Sequence, residues 1–89
     1  MEKQWVVYIL QCGDGSLYTG ITDDLPHRLE MHRTGKGAKY TRGRSPLTLV
    51  YQENADSYSE ALKREYRIKQ LSRTEKLKMI EEYRKTATE

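Results

Sequence analysis

The stretch VVYILQCGDGSLYTGIT, from Val6 to Thr22, constrains the fold more than any other part of the chain. Two apolar runs, each carrying one tyrosine, flank a Gly-Asp-Gly turn. Trp5 to Leu10 is apolar at successive positions, which predicts a strand covered on both faces. Leu17 to Thr22 predicts its partner. The residues Gly13 to Ser16 predict the hairpin, because glycine supplies the positive φ that such turns require. Two registers are compatible with these residues. An odd-numbered loop centred on Asp14 pairs Tyr8 with Gly20 and Leu10 with Tyr18, so both tyrosines share a face. A two-residue Asp-Gly turn puts them on opposite faces.

A helix is predicted next. Thr22, Asp23 and Asp24 offer N-cap oxygens, Pro26 suits a first turn, and Gly35 is a natural stop. Leu25, Arg28, Leu29 and His32 then form one side of it. Residues 36–46, KGAKYTRGRSP, read as a basic loop with two glycines. A loop of that length in a small domain is usually functional or disordered, and Lys36 to Arg44 is expected to be mobile in the free protein. Leu47 to Tyr51 predicts a third strand. Asp56 or Ser57 caps a second helix with an apolar stripe of Tyr58, Ala61, Leu62 and Ile68. After a break at Ser72 to Thr74, Glu75 to Tyr83 predicts a third helix. The expected fold is α+β, in the order β-β-α-β-α-α: a three-stranded antiparallel sheet flanked by helices. The 89 residues are expected to form one domain, with a core over about residues 5–83.

Hydrophobic residues are 36% of the chain and charged residues 33%, so burial has to come from a few well-placed stripes. No apolar run approaches the roughly 20 residues of a membrane helix, and the N-terminus has no secretory signal pattern. Cys12 is the single cysteine, which excludes an internal disulfide and a cysteine-built metal site. A cytoplasmic protein without membrane association is the expectation. The net charge is only +3, but it is unevenly placed. Between residues 27 and 44, Arg28, Arg33, Lys36, Lys39, Arg42 and Arg44 face the single acid Glu30. Such a patch suits a phosphate-bearing partner, and equally a solvated loop.

Glu65 falls inside the apolar stripe of the second helix, where a desolvated carboxylate needs a partner. Either it pairs with a cation such as Arg28, or it binds a divalent metal. Mg²⁺ often takes one or two protein carboxylates and completes its shell with water and phosphate. Arg28 and His32, four residues apart on one helix side, can converge on one point. Arginine holds phosphate in a bidentate way, and histidine moves protons near neutral pH. His27 is expected to face solvent. Tyr8 and Tyr18 read either as packing residues, since the chain has seven tyrosines and no phenylalanine, or as site residues.

Taken together, these residues resemble the GIY-YIG nuclease family, and within it the small bacterial proteins that contain little beyond that domain. Val6 to Tyr8, VVY, stands where the family has Gly-Ile-Tyr, and Tyr18 to Gly20, YTG, where it has Tyr-Ile-Gly. Arg28 and His32 match its helix residues, GKGAKYTRGRSP its glycine-rich basic loop, and Glu65 its metal-binding glutamate. The first motif departs from the family at Val6, which replaces a glycine.

The resemblance implies metal-dependent cleavage of phosphodiester bonds, with DNA as partner, RNA not excluded, and one Mg²⁺ or Mn²⁺ ion as cofactor. It implies that Tyr8 activates water with His32 as proton relay, and that Tyr18 orients water or phosphate. Arg28 then holds the scissile phosphate and Glu65 the metal. Lys36, Lys39, Tyr40, Arg42 and Arg44 are the expected nucleic-acid surface. A role in DNA repair or recombination, with a protein partner supplying specificity, fits this reading. A non-catalytic nucleic-acid-binding or adaptor domain on the same fold is the alternative.

Overall fold

A computed structural model describes residues 4–87. Three strands, β1 (Trp5–Gln11), β2 (Leu17–Thr22) and β3 (Thr48–Ala55), form one antiparallel sheet in the order β2-β1-β3. Helix α1 (Leu25–Arg33) follows β2, and α2 (Tyr58–Gln70) and α3 (Arg73–Ala87) follow β3. The element order and the α+β class are those expected. β1 is central, which explains its apolar sequence: a middle strand is covered on both faces. Val7 and Ile9 point to one face and meet Ala61 and Ile68 of α2 and Ile80 of α3. Tyr8 and Leu10 point to the other, toward α1.

The hairpin takes the odd register. Tyr8 pairs with Gly20 and Leu10 with Tyr18, so both tyrosines share the α1 face. Gly15 N donates to Cys12 O at 2.9 Å, and Gly15 takes φ of 86°, a conformation that favours glycine. Asp14 Oδ1 accepts from Ser16 N at 3.0 Å and from Ser16 Oγ at 2.6 Å, which fixes the tip.

The end of β3 and the start of α3 differ from expectation. β3 runs to Ala55 rather than Tyr51, because β1 continues to offer ladder partners as far back as Trp5, opposite Ala55. A register shift between Ile9 and Leu10 leaves Val50 as a bulge. Helix α3 starts at Arg73, not Glu75: Ser72 and Glu75 form a reciprocal capping box, with Glu75 N donating to Ser72 Oγ at 3.2 Å and Ser72 N to Glu75 Oε1 at 3.0 Å. In α2, Ala61 and Ile68 are buried, but Tyr58 and Leu62 of the expected stripe are 53% and 40% exposed. Ala61, with no side chain beyond Cβ, lets α2 approach the sheet at that point, and Tyr58 instead packs against Trp5, ring centroids 4.8 Å apart.

The basic loop is tied down at its centre. Lys39–Thr41 is a short 3-10 turn, and Thr41 is buried against α1. Asp24 and Ser57 cap α1 and α2, each accepting from a backbone N–H three residues on.

Candidate active site

The α1 face of the hairpin gathers four of the expected residues. Tyr8 comes from β1, Tyr18 from β2, and Arg28 and His32 from successive turns of α1. Tyr8 Oη lies 2.9 Å from His32 Nε2, and His32 Nδ1 lies 3.0 Å from Thr41 Oγ1. Thr41 Oγ1 in turn donates to Ala38 O at 2.9 Å. A threonine has one hydroxyl proton, and a carbonyl can only accept. Thr41 therefore accepts from His32 Nδ1–H, which leaves Nε2 of the neutral imidazole as the acceptor for the Tyr8 hydroxyl.

Electrostatics support that assignment. Burial, and then the Arg28 charge, hold the His32 imidazole below its ordinary pKa, so the ring is neutral at pH 7. Burial is also the main reason that the Tyr8 phenol is pushed up to about 12. Arg28 pulls against that rise, and the Tyr18 and Glu65 charges add to it. The Arg28 charge acts on both phenols, on Tyr8 the more strongly.

Aromatic packing closes the cluster. The Tyr18 ring stands edge-on to His32 at 5.4 Å between centroids, and Tyr40 stacks on Tyr18 at 5.9 Å. Tyr8 is fully covered, whereas Tyr18 is half-buried and Arg28 partly reachable. Two glycines make the close approaches possible. A Cβ on Gly20 would lie 2.7 Å from Tyr8 Oη, and one on Gly37 would overlap the His32 ring.

Glu65 projects from α2, and its charge is felt at the Tyr8 phenol. Its partner is Lys69, one turn on, with Nζ 3.3 Å from Oε2; the pairing with Arg28 weighed from the sequence is not formed. Its side chain is 19% exposed, so the carboxylate is reachable. No group of three or more His, Cys, Asp or Glu is placed to hold a metal among the described residues. A single hard oxygen donor still fits Mg²⁺ or Mn²⁺, which bring water and substrate oxygens of their own.

The expected nucleic-acid residues divide into two groups. Lys36, Lys39 and Arg42 are exposed on the loop. Arg44 is engaged within the protein: Nη1 donates to Asp14 Oδ2 at 2.5 Å, and its guanidinium lies 4.5 Å from the Tyr40 ring centroid. Tyr40 is 44% exposed. His27 is exposed, as expected. Thr41 and Gly37 did not stand out in the sequence, whereas Gly20 did, both as the cross-strand partner of Tyr8 and as the glycine of the second motif. A threonine between Tyr40 and Arg42 in a basic loop gives no signal of its own, but Gly37 could have been noticed as a glycine away from any required turn.

This sheet, with two tyrosines, an arginine and a histidine on one face and a glutamate beside it, is the arrangement expected of a GIY-YIG domain. The GIY-YIG catalytic domain family matches residues 4–78, and the chain belongs to that family. It is similar to the UPF0213 protein of Oceanobacillus iheyensis, with 62% identity over 91% of this chain and 94% of the relative. The solution NMR structure of a UPF0213 protein from Bacillus halodurans is 49% identical, covers 88% of this chain and 83% of that one, and superposes with a TM-score of 0.58. A second solution NMR structure, of a protein from E. faecalis, is 36% identical over 88% of this chain and 84% of that one, with a TM-score of 0.60. No helix of the described residues is long and apolar enough to cross a membrane.

Proposed function

We propose that this chain is a metal-dependent endonuclease that hydrolyses phosphodiester bonds of nucleic acid, with DNA as the first candidate substrate and DNA repair or recombination as its setting. The directed chain from Tyr8 through His32 to Thr41, beside Arg28, is the observation that carries this reading. A module that only bound phosphate would need surface cations; a covered phenol aimed at the lone pair of a neutral imidazole suits proton transfer.

Arg28 has two roles in the proposed reaction. In the free protein its charge acts on both phenols. A substrate phosphate competes for that guanidinium, and bidentate binding draws it away and opens the route to Tyr8. A water that attacks phosphorus then gives its proton to Tyr8 Oη while the phenol proton passes to His32 Nε2. The P–O bond to the leaving oxygen breaks as the new P–O bond forms. The leaving oxygen departs as an alkoxide and takes a proton from solvent water, and His32 returns its extra proton to solvent. Tyr18, on the solvent side of Tyr8, orients water or phosphate. Glu65 would hold one Mg²⁺ or Mn²⁺, which when bound supplies Lewis-acid stabilisation of charge on the phosphate oxygens.

The test is a cleavage panel of single-stranded, duplex, flap and junction DNA, with matched RNA, in Mg²⁺ or Mn²⁺. Wild type is expected to cut at least one substrate. Tyr8→Phe and Glu65→Ala should lose roughly 100-fold or more in rate while keeping the circular-dichroism spectrum of the folded domain. A wild type that binds these substrates and cuts none would establish the non-catalytic binding domain instead.

A further inference from the structure

One groove of the molecule extends from the catalytic cluster and adds cations that the cluster does not use. It runs along β2, the edge strand next to the cluster, toward the corner between α2 and α3. Its first part encloses about 330 Å³ and is lined by Tyr18, Tyr40, Lys69 and Lys76, with Leu17 and Thr19. A second part of about 200 Å³ shares Leu17, Tyr40 and Lys76 and reaches Arg73 near the hairpin tip. Arg73 donates to Gly15 O at 2.9 Å, which fixes the far end. No acidic residue lines either part.

Lys76 is the informative cation. It is half-buried, yet no acid among the described residues pairs with its ammonium group. A half-buried, unpaired lysine loses hydration without a compensating partner in the free protein. An anion in the groove would supply that partner. Lys69 stands beside it and also contacts Glu65, so the groove is continuous with the cluster through Lys69–Glu65 on one side and Tyr18 on the other.

We infer that this groove holds a single-stranded segment of the nucleic acid directly next to the scissile phosphate, with Lys69 and Lys76 on its backbone and Tyr18 and Tyr40 against its sugars and bases. The inference rests on the nuclease reading and adds the form of the substrate. Size argues for one strand: about 330 Å³ lies at the low end of ligand-pocket volumes, roughly 300–1,000 Å³, and suits one nucleotide at a time rather than a duplex. Chemistry argues likewise, since an aromatic floor with a basic rim is how single strands are held without regard to sequence.

The test uses binding alone, in EDTA, so that cleavage plays no part. A labelled single-stranded oligonucleotide and a blunt hairpin duplex are titrated by fluorescence anisotropy over a range of salt concentrations. Lys76→Ala should reduce the single-strand slope of log K against log salt by about 0.7, and Lys76→Arg should restore it. The blunt duplex should bind both variants as it binds wild type. An unchanged single-strand slope in Lys76→Ala, or an equal loss on the blunt duplex, overturns the groove assignment and leaves the nuclease reading standing. A wild type that binds neither probe overturns both.

Discussion

Tyr8 Oη donates to His32 Nε2 across 2.9 Å, from the central strand to the one helix on that face of the sheet. The direction of this bond is set two residues away. Thr41 donates its hydroxyl proton to Ala38 O and so accepts the hydrogen bond of His32 Nδ1–H. A loop with no catalytic group of its own thereby selects the imidazole tautomer that can receive a proton from the phenol. The basic loop thus links two properties: its exposed cations face the solvent, and its buried threonine orients the histidine.

Thr41→Val tests that link. Valine has nearly the shape of threonine and cannot accept from Nδ1–H, so a buried donor is left unsatisfied, at a cost of about 1–3 kcal/mol. The ring then has no reason to keep its proton on Nδ1. Nitrogen-15 NMR of the His32 ring should show the Nδ1-protonated tautomer in wild type and a mixture in the variant. A single, unchanged tautomer would mean that Tyr8 alone sets it. The kcat for cleavage should fall more than KM rises, because Thr41 acts through His32 and not on substrate.

Acid and alkali should each weaken the fold through a different member of this pair. The folded-state pKa of His32 lies below its ordinary value of 6.5, chiefly through burial. Below about pH 6.5 the unfolded chain therefore binds more protons than the folded one, and stability falls with pH until the folded-state pKa is passed. Above that window His32 contributes no pH dependence. His32→Gln should flatten the acid-side fall in urea midpoint over the same window. For Tyr8 the sign is opposite. Its phenol is raised from 10.0 to about 12, so stability is lost as pH rises between those values. Tyr8→Phe should remove part of that loss, and Tyr51, whose phenol burial also raises, should account for some of the remainder. An identical alkaline profile in Tyr8→Phe would show that the phenol is not buried in solution.

Much of this site was legible because its residues sit on regular elements. Period-two alternation brings Tyr8 and Tyr18 to one face once the loop has an odd count, and a four-residue helical spacing brings Arg28 and His32 together. The loop count was the part that residues alone could not decide, since a Gly-Asp-Gly tip serves either turn. Glu65 was legible as a misplaced acid, but not its partner: Lys69, one turn on, and Arg28, on a distant element, both satisfy the same charge rule. Tyr58 and Leu62 matched the helical period and still lie exposed, because α2 meets the sheet over the narrow line of Ala61 and Ile68. Arg44 looked like its neighbours in the loop and is held by Asp14 from another turn, a long-range pairing that composition does not reveal.

That difference between Arg44 and its neighbours gives a salt-dependence prediction. Lys39 and Arg42 are exposed and have no ion-pair partner among the described residues, whereas Arg44 already has Asp14. Replacing Lys39 and Arg42 with alanine should reduce the slope of log K against log salt for duplex DNA by about 1.8, with little dependence on base sequence. Arg44→Ala should change that slope less and lower stability instead, since it removes the contacts to Asp14 and Tyr40. A larger slope change for Arg44→Ala than for the double variant would reverse these roles.

Gly20→Ala should show how closely the phenol is confined. Gly20 is the cross-strand partner of Tyr8 and is buried with it. An alanine Cβ there would meet Tyr8 Oη at 2.7 Å, Tyr8 Cζ at 2.8 Å and Tyr18 Cε2 at 3.0 Å. Tyr8 cannot swing aside, because it is fully buried and hydrogen-bonded to His32. The strands must part or the phenol must tilt, and overpacking of this kind costs about 1–3 kcal/mol. A tilted phenol also leaves His32 Nε2. The variant should therefore unfold at lower urea, and the His32 ring should titrate differently from wild type. It should lose cleavage more than its stability loss explains, when compared at temperatures where both proteins are folded. An alanine variant with wild-type stability and an unchanged His32 titration would show that the hairpin yields at this position and that the Tyr8–His32 bond does not depend on the missing side chain.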